Sequence, residues 1–575
     1  MERSKVDRYR HVLDPIPPKH LAWPLYGQGL DRLGQRGQPV ERPVPTYAGD
    51  ELLVRHDAVG LCYTDVKEIK LGSEHPRLLG RDLAANPIVP GHEASITVVA
   101  VGDALCAEYR VGDRFVIQPD VWYRGKSIPY SFGMDGAFRQ YAAIGKEILH
   151  GDAGSYLIPV SDSITYAGAA LTEPWACVEA SYRFSYRTAL LRGGRAWFTG
   201  GTRAGYDIGA IWGADSAPRE LVVSEVPPDL LARLRQLADR RGTVLTELSR
   251  DRALAAEEPF DDIIALDAEA VDVDRAAKRL AKGGILAILR ADPMASPIHL
   301  DLGRVHYDHI LYVGSSGLSI DAAYQATPVR TSLKPQGTAW ILGAGGPMGR
   351  MHLQRAIQAL HAPSRIIATN RGLDRLDHLR RSFSGLARTQ GVELLCASPR
   401  EEPELYQRVM EEALERGGVD DVEVMAADVG AVRGATRYVG HGAVINLFAG
   451  LKRGEMADID AWRIYGPTQL RIIGHSGSGL EDQAAVVECA EAHQLEPERS
   501  VAAICGLRQV PDGIRAMMAK TYPGKIVVFP MVPDFPLTSL EDLDGVLPEV
   551  YAHLGDGASW TAAAEAAFLE AKLPG

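Results

Sequence analysis

The residues best suited to chemistry in this sequence are a cysteine, a histidine and two glutamates, all before residue 174. Cys62 lies in VGLCYTDVKE, His92 and Glu93 lie in VPGHEASITVV, and Glu173 lies in LTEPWACVEA. Thiolate, imidazole and carboxylate groups are the ligands that zinc takes, and a catalytic zinc keeps one position open for water or substrate. Asp65 follows Cys62 closely and could accept a hydrogen bond from a ligand imidazole, which would fix its tautomer.

Each of these residues also has an ordinary structural interpretation. A single cysteine in a strand usually belongs to a core, Gly-His-Glu can form a turn, and a glutamate before proline can lie in the first turn of a helix. The joint occurrence of all four with these neighbours favours a metal site over four separate coincidences.

A glycine-rich turn joins a predicted strand to a predicted helix in AWILGAGGPMGRMHLQRAI. Its glycines let the backbone approach a pyrophosphate at the helix N-terminus, where free N–H groups and the helix dipole favour anions. The next strand ends at Asn370 and Arg371, and the loss of an acidic residue there, together with the adjacent guanidinium, favours a 2′-phosphate, hence NADP(H) over NAD(H). A glycine turn without a ligand is the structural alternative. The predicted cofactor-binding residues are Gly343, Gly345, Gly346, Pro347, Met348, Gly349, Asn370 and Arg371.

The strand–helix alternation around this turn occurs twice along the chain. Five segments match in the same order: GRAWFTGGTRAG with GTAWILGAGGPMG, RELVVSEVPPDLLARLRQL with SRIIATNRGLDRLDHLRR, FDDIIALDA with VDDVEVMAAD, AAKRLAKGGILAIL with GATRYVGHGAVINLF, and LYVGSSG with RIIGHSG. Alternating strands and helices predict a parallel sheet covered by helices. We therefore predict two tandem Rossmann units, the second with an insertion after Asn370; two unrelated α/β domains are the alternative.

The first copy differs from the second at the turn. It reads GGTRAG, with Arg203 and no complete GxGxxG pattern, although its second strand ends at Glu225, an acidic residue of the kind that binds ribose hydroxyls. We expect the second copy to bind the working cofactor. The first copy is then structural or holds a second nucleotide.

Several of these segments resemble zinc-dependent medium-chain dehydrogenases. VGLCYTDVKEI and VPGHE resemble that family's GxCxSD/T and GHE segments, and VGDRFVIQP, GAFRQYAAI and PGKIVVFP resemble three further landmarks. TEPWACV is similar to the polyol dehydrogenase branch, where a glutamate replaces a ligand cysteine. The resemblance covers about residues 50 to 533, with one extra Rossmann unit inserted. It implies a GroES-like catalytic domain in which Cys62 and His92 bind zinc.

The resemblance also implies roles for three other residues. Glu173 is the third zinc ligand or holds a zinc-bound water, Glu93 is an alternative ligand, and Thr64 passes a proton from the substrate hydroxyl toward solvent. The family's four-cysteine structural zinc lobe is missing, because QPDVWYRGKSIPYSFGMDG contains no cysteine. We predict one zinc ion. The extra residues SEHPRLLGRDLAAN between Cys62 and His92 are expected to form a loop near the site.

The predicted architecture is α/β. It has a GroES-like β-rich catalytic domain at 1–192 completed by 496–533, a first Rossmann-like domain at 193–330, a second, nucleotide-binding one at 331–495, and a helical C-terminal extension at 534–575. The edge strands LYVGSSG and RIIGHSG match those that pair between subunits in dimers of the family. We expect them to form a pseudo-dimer within one chain, hence a monomer, with a homodimer as the alternative.

Composition limits the remaining classes of protein. A chain of 575 residues is too long for one hydrophobic core, and a net charge of −12 argues against binding nucleic acid. The six cysteines form no CxxC pair, which fits reduced thiols in a cytoplasmic protein. No secretory signal and no apolar stretch long enough to span a membrane is recognised.

The sequence therefore predicts an oxidoreductase that uses one zinc ion and NAD(P). It would transfer a hydride to or from a secondary alcohol or ketone of a polyol, sugar or sugar phosphate. Two alternatives stay open: a redox-neutral epimerase or isomerase with tightly bound nicotinamide, and a non-catalytic nucleotide-binding scaffold.

Overall fold

The computed structural model describes residues 3–183, 185–325, 332–556 and 558–574. The predicted boundary between the two Rossmann units, at residues 330 and 331, lies outside these ranges. Within them, the main sheets are one eight-stranded, mostly antiparallel sheet and two six-stranded parallel sheets. No helix in the described ranges has the length and apolar character needed to cross a bilayer.

The β-rich part of the chain comes first. Its helices are α1 (Lys5–Arg10), α2 (Tyr63–Leu71), α3 (Lys146–Leu149), α4 (Tyr166–Ala170) and α5 (Thr172–Arg183). Its strands are β1 (Lys19–Ala22), β2 (Val40–Pro43), β3 (Leu52–Gly60), β4 (Glu93–Val101), β5 (Arg114–Ile117), β6 (Trp122–Tyr123), β7 (Lys126–Ser127), β8 (Tyr141–Ile144) and β9 (Leu157–Pro159). Strand β3 is central and is buried along its whole length, because it pairs with β4 on one side and with β8 on the other.

The first parallel sheet follows. Its region contains strands β10 (Arg195–Gly200), β11 (Glu220–Ser224), β12 (Val244–Glu247), β13 (Phe260–Leu266), β14 (Leu280–Leu289), β15 (Ile298–Asp301) and β16 (Leu311–Ser315). Its helices are α6 (Pro228–Arg241), α7 (Arg250–Leu254), α8 (Ala270–Ala277), α9 (Leu302–Asp308) and α10 (Ile320–Gln325).

The second parallel sheet has a matching set of elements. Its strands are β17 (Thr338–Leu342), β18 (Arg365–Thr369), β19 (Glu393–Ala397), β20 (Val419–Val424), β21 (Val439–Leu447), β22 (Met456–Ile459) and β23 (Arg471–Gly474). Its helices are α11 (Pro347–Gln358), α12 (Leu373–Thr389), α13 (Pro403–Glu415), α14 (Val429–Ala435), α15 (Trp462–Tyr465) and α16 (Leu480–Glu491).

The last part of the chain returns to the β-rich sheet. It contains strands β24 (Val501–Gly506), β25 (Lys525–Phe529) and β26 (Thr538–Ser539), and helices α17 (Val510–Ala519), α18 (Leu543–Val546), α19 (Pro548–Tyr551) and α20 (Ala562–Lys572). Strand β25 pairs with β3, and β24 pairs with both β25 and β26. Short 3-10 helices lie at Leu30–Arg32, Gly72–Glu74, Asp103–Leu105, Pro497–Ser500 and Leu507–Gln509.

The two parallel sheets have the same topology, which confirms the predicted duplication of the Rossmann fold. Their strand orders are β12-β11-β10-β13-β14-β16 and β19-β18-β17-β20-β21-β23. In each sheet the chain first adds strands on one side of its first strand and then on the other, so the strand order reverses next to β10 and next to β17. One side-chain contact also recurs. The Trp197 indole donates to Ser224 Oγ at 3.0 Å, and the Trp340 indole donates to Thr369 Oγ1 at 2.8 Å.

The two units pack on each other through equivalent elements, so that each contact has a counterpart in the other unit. Strand β15 of the first pairs antiparallel with β22 of the second. Helix α9 contacts β23, and α15 contacts β16. The glycine on each edge strand makes room for the other unit's helix: a Cβ on Gly314 would come within 2.4 Å of Tyr465, and a Cβ on Gly474 within 2.8 Å of His306. In the described ranges β16 and β23 adjoin but remain in separate sheets.

The C-terminal extension is more than the helical segment that the sequence predicts. Strand β26 adds to the edge of the β-rich sheet beside β24. The buried Glu565 of α20 accepts hydrogen bonds from the backbone N–H groups of Tyr166 and Ala167, at 2.6 and 2.9 Å. Because α4 begins at Tyr166, this carboxylate satisfies N–H groups that a helix start leaves without partners. The extension is therefore built into the β-rich part.

Candidate active site

The antiparallel pairing of β3 with β4 brings the cysteine and the histidine–glutamate pair together. Gly60 ends β3 directly opposite Glu93, which begins β4. Cys62 precedes α2 as its N-cap, and its backbone N–H donates to Asp65 Oδ2 at 2.8 Å. A Cβ on Gly60 would come within 2.0 Å of Glu93 Oε2, so only glycine leaves room for this carboxylate.

The ligand atoms of Cys62, His92 and Glu93 lie within 4.8 Å of one another. His92 Nδ1 donates to Asp65 Oδ1 at 3.1 Å, so its Nε2 carries the lone pair that a metal would use. Asp65 and Glu93 are fully buried, and Glu93 Oε2 has no hydrogen-bond partner in the described ranges. A thiolate, an imidazole and a carboxylate oxygen that accepts no hydrogen bond are the ligands expected of a catalytic zinc site.

Lys525, at the start of β25, is a site residue that the sequence prediction missed. Its Nζ donates to Glu93 Oε1 at 2.5 Å. Burial alone would lower the pKa of Lys525, but Glu93 and Cys62 outweigh burial and raise it. Burial raises the pKa of Glu93, against the lowering effect of Lys525 and His92. A lysine that opens the apolar run KIVVF was the available signal, because a buried ammonium needs an anionic partner.

The structure places Glu173 near the three-residue group but outside it. It lies buried in the first turn of α5. Burial, with the nearby Glu93 charge, raises its pKa to about 7, although His92 acts in the opposite direction. Thr64 is half-buried in the first turn of α2, two positions after Cys62.

The second unit carries the predicted nucleotide turn at the start of α11. Gly343 has a φ of +89°, which L side chains rarely adopt, and Gly346 is the helix N-cap with Pro347 as the first helical residue. A Cβ on Gly349 would come within 2.7 Å of Ala344, so this glycine allows the close approach of helix to turn. Met348 is half-buried beside it.

Asn370 and Arg371 follow the end of β18, beside the turn. The Asn370 amide donates to the Gly372 carbonyl at 3.1 Å, and a Cβ on Gly345 would come within 2.8 Å of the Asn370 side chain. The Arg371 side chain is 75% exposed and pairs with Asp428 at 2.5 Å. This guanidinium therefore lies at the rim of the turn, where solvent and ligands can reach it.

The corresponding turn of the first unit is blocked by its own side chains. No helix lies between β10 and β11, so the free N–H groups of a helix start are absent from this described segment. Asp267 instead accepts from the backbone N–H of Thr202 at 2.8 Å and from the Tyr206 hydroxyl at 2.8 Å, and it pairs with Arg203. Burial opposes ionisation of Asp267, but these hydrogen bonds outweigh it and lower the pKa to about 2. Glu225 pairs with Arg250 at 3.1 Å.

The first unit nevertheless contacts the edge of the second unit's sheet where its strands end. His306 Nδ1 in α9 donates to the Leu447 carbonyl at 2.8 Å, and His309 Nδ1 donates to the Gly474 carbonyl at 3.1 Å. Ser476 Oγ lies 3.0 Å from His306 Nε2. These carbonyls end β21 and β23, and ligands of doubly wound sheets bind beyond such carboxyl ends.

One loop links this edge to the group formed by Cys62, His92 and Glu93. Ser478, four residues after the end of β23, accepts at its carbonyl from Gln118 Nε2 at 3.1 Å. The Cys177 thiol lies 3.6 Å from Ser478 Oγ and 4.0 Å from Glu173 Oε1. The β-rich part and the second unit therefore meet beside Glu173.

Comparison with known proteins identifies the proteins to which this chain is similar. Residues 48–151 match the family model of the alcohol dehydrogenase GroES-like domain. The chain is 29% identical to mannitol-1-phosphate 5-dehydrogenase of Aliivibrio fischeri, over 48% of this chain and 70% of the relative. It is 26% identical to L-sorbose 1-phosphate reductase of Klebsiella pneumoniae, over 51% of this chain and 76% of the relative.

Among the solved structures that match this chain is 2R,3R-butanediol dehydrogenase from Bacillus subtilis. It is 16% identical, with a TM-score of 0.48, over 89% of this chain and 99% of that one. With its GroES-like domain and its polyol dehydrogenase relatives, the chain is similar to members of the medium-chain dehydrogenase/reductase superfamily of alcohol and polyol dehydrogenases.

Proposed function

We propose that this protein is a zinc-dependent oxidoreductase that transfers a hydride between a nicotinamide nucleotide and a secondary alcohol or ketone of a polyol, sugar or sugar phosphate. The observation that carries the proposal is the convergence of Cys62, His92 and Glu93 within 4.8 Å, from two stretches of chain. Relatives named as dehydrogenases or reductases of mannitol 1-phosphate and L-sorbose 1-phosphate support the substrate class.

The residues around the metal site would act as follows. Cys62 and His92 would hold the ion, and Asp65 would keep the His92 ring oriented through its hydrogen bond. With Glu93 held by Lys525, Glu173 would supply the third contact or hold water. A bound zinc ion would supply Lewis-acid chemistry at the substrate oxygen. Thr64 would move the hydroxyl proton toward solvent.

The second Rossmann unit would bind the nucleotide. The pyrophosphate would lie at the start of α11, over Gly345 and Gly346. Arg371 would contact a 2′-phosphate, which favours NADP(H). The first unit would hold no nucleotide, because its turn lacks the helix and Asp267 occupies its N–H groups.

Metal analysis combined with a substrate screen tests the proposal. We expect about one zinc ion per chain in the unaltered protein and little in Cys62→Ala, with Cys106→Ala, an exposed cysteine, as the matched control. Polyols and sugar phosphates are then offered with NAD or NADP, and absorbance of the reduced nucleotide is followed. Absence of zinc from the unaltered protein would refute the metal site. Epimerised product without free reduced nucleotide would favour the isomerase alternative.

A further inference from the structure

A cavity of about 240 Å³ is lined by none of the metal-site or glycine-turn residues, although its lining residue Arg350 directly follows Gly349 in α11. Helices α11 and α12 form one wall, and segments next to β24 and β25 form another. Residues on either side of α18 and α19, in the C-terminal extension, close the third side. The second Rossmann unit, the β-rich sheet and the extension therefore meet around this space.

The inner wall carries a buried arginine, two of whose guanidinium nitrogens have no hydrogen-bond partner among the described residues. Arg350 of α11 is 5% exposed, and its Nε and Nη1 are buried with no hydrogen-bond partner in the described ranges. Its guanidinium lies 5.3 Å from the ring centre of Phe383, which supplies contact but no countercharge. Burying a charge without a partner is costly, so proteins normally pair such a group or give it a ligand.

The other inner groups are also suited to an anion. Ser382 Oγ of α12 is buried without a hydrogen-bond partner in the same part of the chain. Burial and the neighbouring Arg350 lower the pKa of His378 to about 3, so its ring is neutral. Two donors without acceptors, one of them a planar guanidinium, therefore line one end of the cavity. That combination is typical of sites that bind oxyanions.

The acidic residues of the cavity lie at its rim and are already engaged or exposed. Glu541 is 3.5 Å from His378 and 3.7 Å from Arg381, and Asp542 accepts from Ser539 at 2.6 Å. Asp556 is exposed. Arg499, the other lining arginine, pairs with Glu496. Arg350 makes no ion pair within 4 Å among the described residues; the Glu541 charge raises its pKa, but burial outweighs this and lowers the pKa to about 10. The acidic rim favours a small ligand that carries one anionic group.

We propose that this cavity is a second ligand site, which binds a small oxyanion, either free phosphate or the phosphate or carboxylate group of a small metabolite. Arg350 and Ser382 are its ligands. The volume accommodates an oxyanion with a few carbon atoms. Because three parts of the chain wall the cavity, the bound ion stabilises their packing by mass action.

Inorganic phosphate is the first probe, with Tm and calorimetric binding followed at constant ionic strength. Excess NADP is added to occupy the glycine turn, so that phosphate binding at the start of α11 does not contribute to the measured signal. We expect Tm to rise with phosphate in the unaltered protein. Arg350→Met should weaken phosphate binding by about thirtyfold or more, and Ser382→Ala by about two- to tenfold. The exposed Arg388→Met, also on α12 but outside the cavity lining, should bind phosphate normally.

Stability without phosphate gives an independent readout. Arg350→Met removes a buried charge and keeps a long side chain over Phe383, so we expect its Tm in phosphate-free buffer to equal or exceed that of the unaltered protein. Acetate and glycolate, tested in parallel, distinguish a carboxylate site from a phosphate site. The proposal is wrong if none of these anions binds, or if Arg350→Met and the unaltered protein bind them equally. Should Arg350→Met fail to fold, normal anion binding by Ser382→Ala overturns it.

Discussion

Replacement of Lys525 by methionine tests the arrangement of charges around the metal site. Lys525 Nζ lies 2.5 Å from Glu93 Oε1, and the two side chains are 5% and 0% exposed. Methionine keeps the length of the side chain but removes its charge, so Glu93 becomes a buried carboxylate without its cation. Breaking a buried ion pair from one side costs about 3–5 kcal/mol, and we expect a loss of that size in metal-free protein.

Zinc should reduce this loss. The ligand atoms of Cys62 and His92 lie within 4.8 Å of a Glu93 oxygen, so an ion held by them would place positive charge beside the carboxylate. The ion would then compensate Glu93 in place of the missing ammonium. We expect zinc to recover roughly 2 kcal/mol or more of the stability that Lys525→Met loses.

Urea unfolding of the unaltered protein and Lys525→Met, each with and without zinc, measures both quantities. Lys334→Met is the matched control, because Lys334 is 49% exposed and its partner Asp420, at 2.5 Å, also accepts from the Thr338 backbone N–H and therefore keeps a donor. Removing such a pair lowers the free energy of unfolding by about 0–1 kcal/mol, and zinc should not change this loss. The reasoning fails if Lys525→Met is as mild as this control, or if zinc leaves its cost unchanged.

Four further results are expected. His306→Ala removes the hydrogen bond that α9 donates to the end of β21 and should raise the KM for the nucleotide by about five- to tenfold, whereas Asp267→Asn, in the blocked turn, should not. Arg371→Met should raise the KM for NADP by about tenfold or more and leave that for NAD within about twofold; equal effects on both would exclude contact with a 2′-phosphate. Burial lowers the pKa of His20 to about 4, so the unfolded chain binds more protons below pH 6.5 and stability falls as pH drops. His20→Asn should therefore lose about 2 kcal/mol less than the unaltered protein between pH 7 and pH 5. Light scattering after size exclusion should give a monomer; a dimer paired through β16 or β23 would contradict the internal pseudo-dimer.

Local patterns were sufficient to predict much of this fold. The five matched segments predicted two Rossmann units, and the flanks of Cys62 and His92 predicted that they lie together. Lys525 could not be assigned, because its partner Glu93 is far away in sequence and only the pairing of β3 with both β4 and β25 brings them together. Strand β26 is two residues long, too short for a periodic pattern.

The contacts between the two units explain why a copy that has lost its nucleotide turn would be retained. Its α9 fits against Gly474, and the second unit's α15 fits against Gly314, so each unit covers the other's edge strand. The two contacts differ in the side chains that make them. Tyr465 places an aromatic ring and a hydroxyl that donates to the Asp292 carbonyl on one side, whereas His306 fixes the end of β21 on the other. Loss of the first unit would expose β23 and free the Leu447 carbonyl at the edge where the nicotinamide is expected. Nucleotide affinity should thus depend on a unit whose own turn is filled by Asp267 and Arg203.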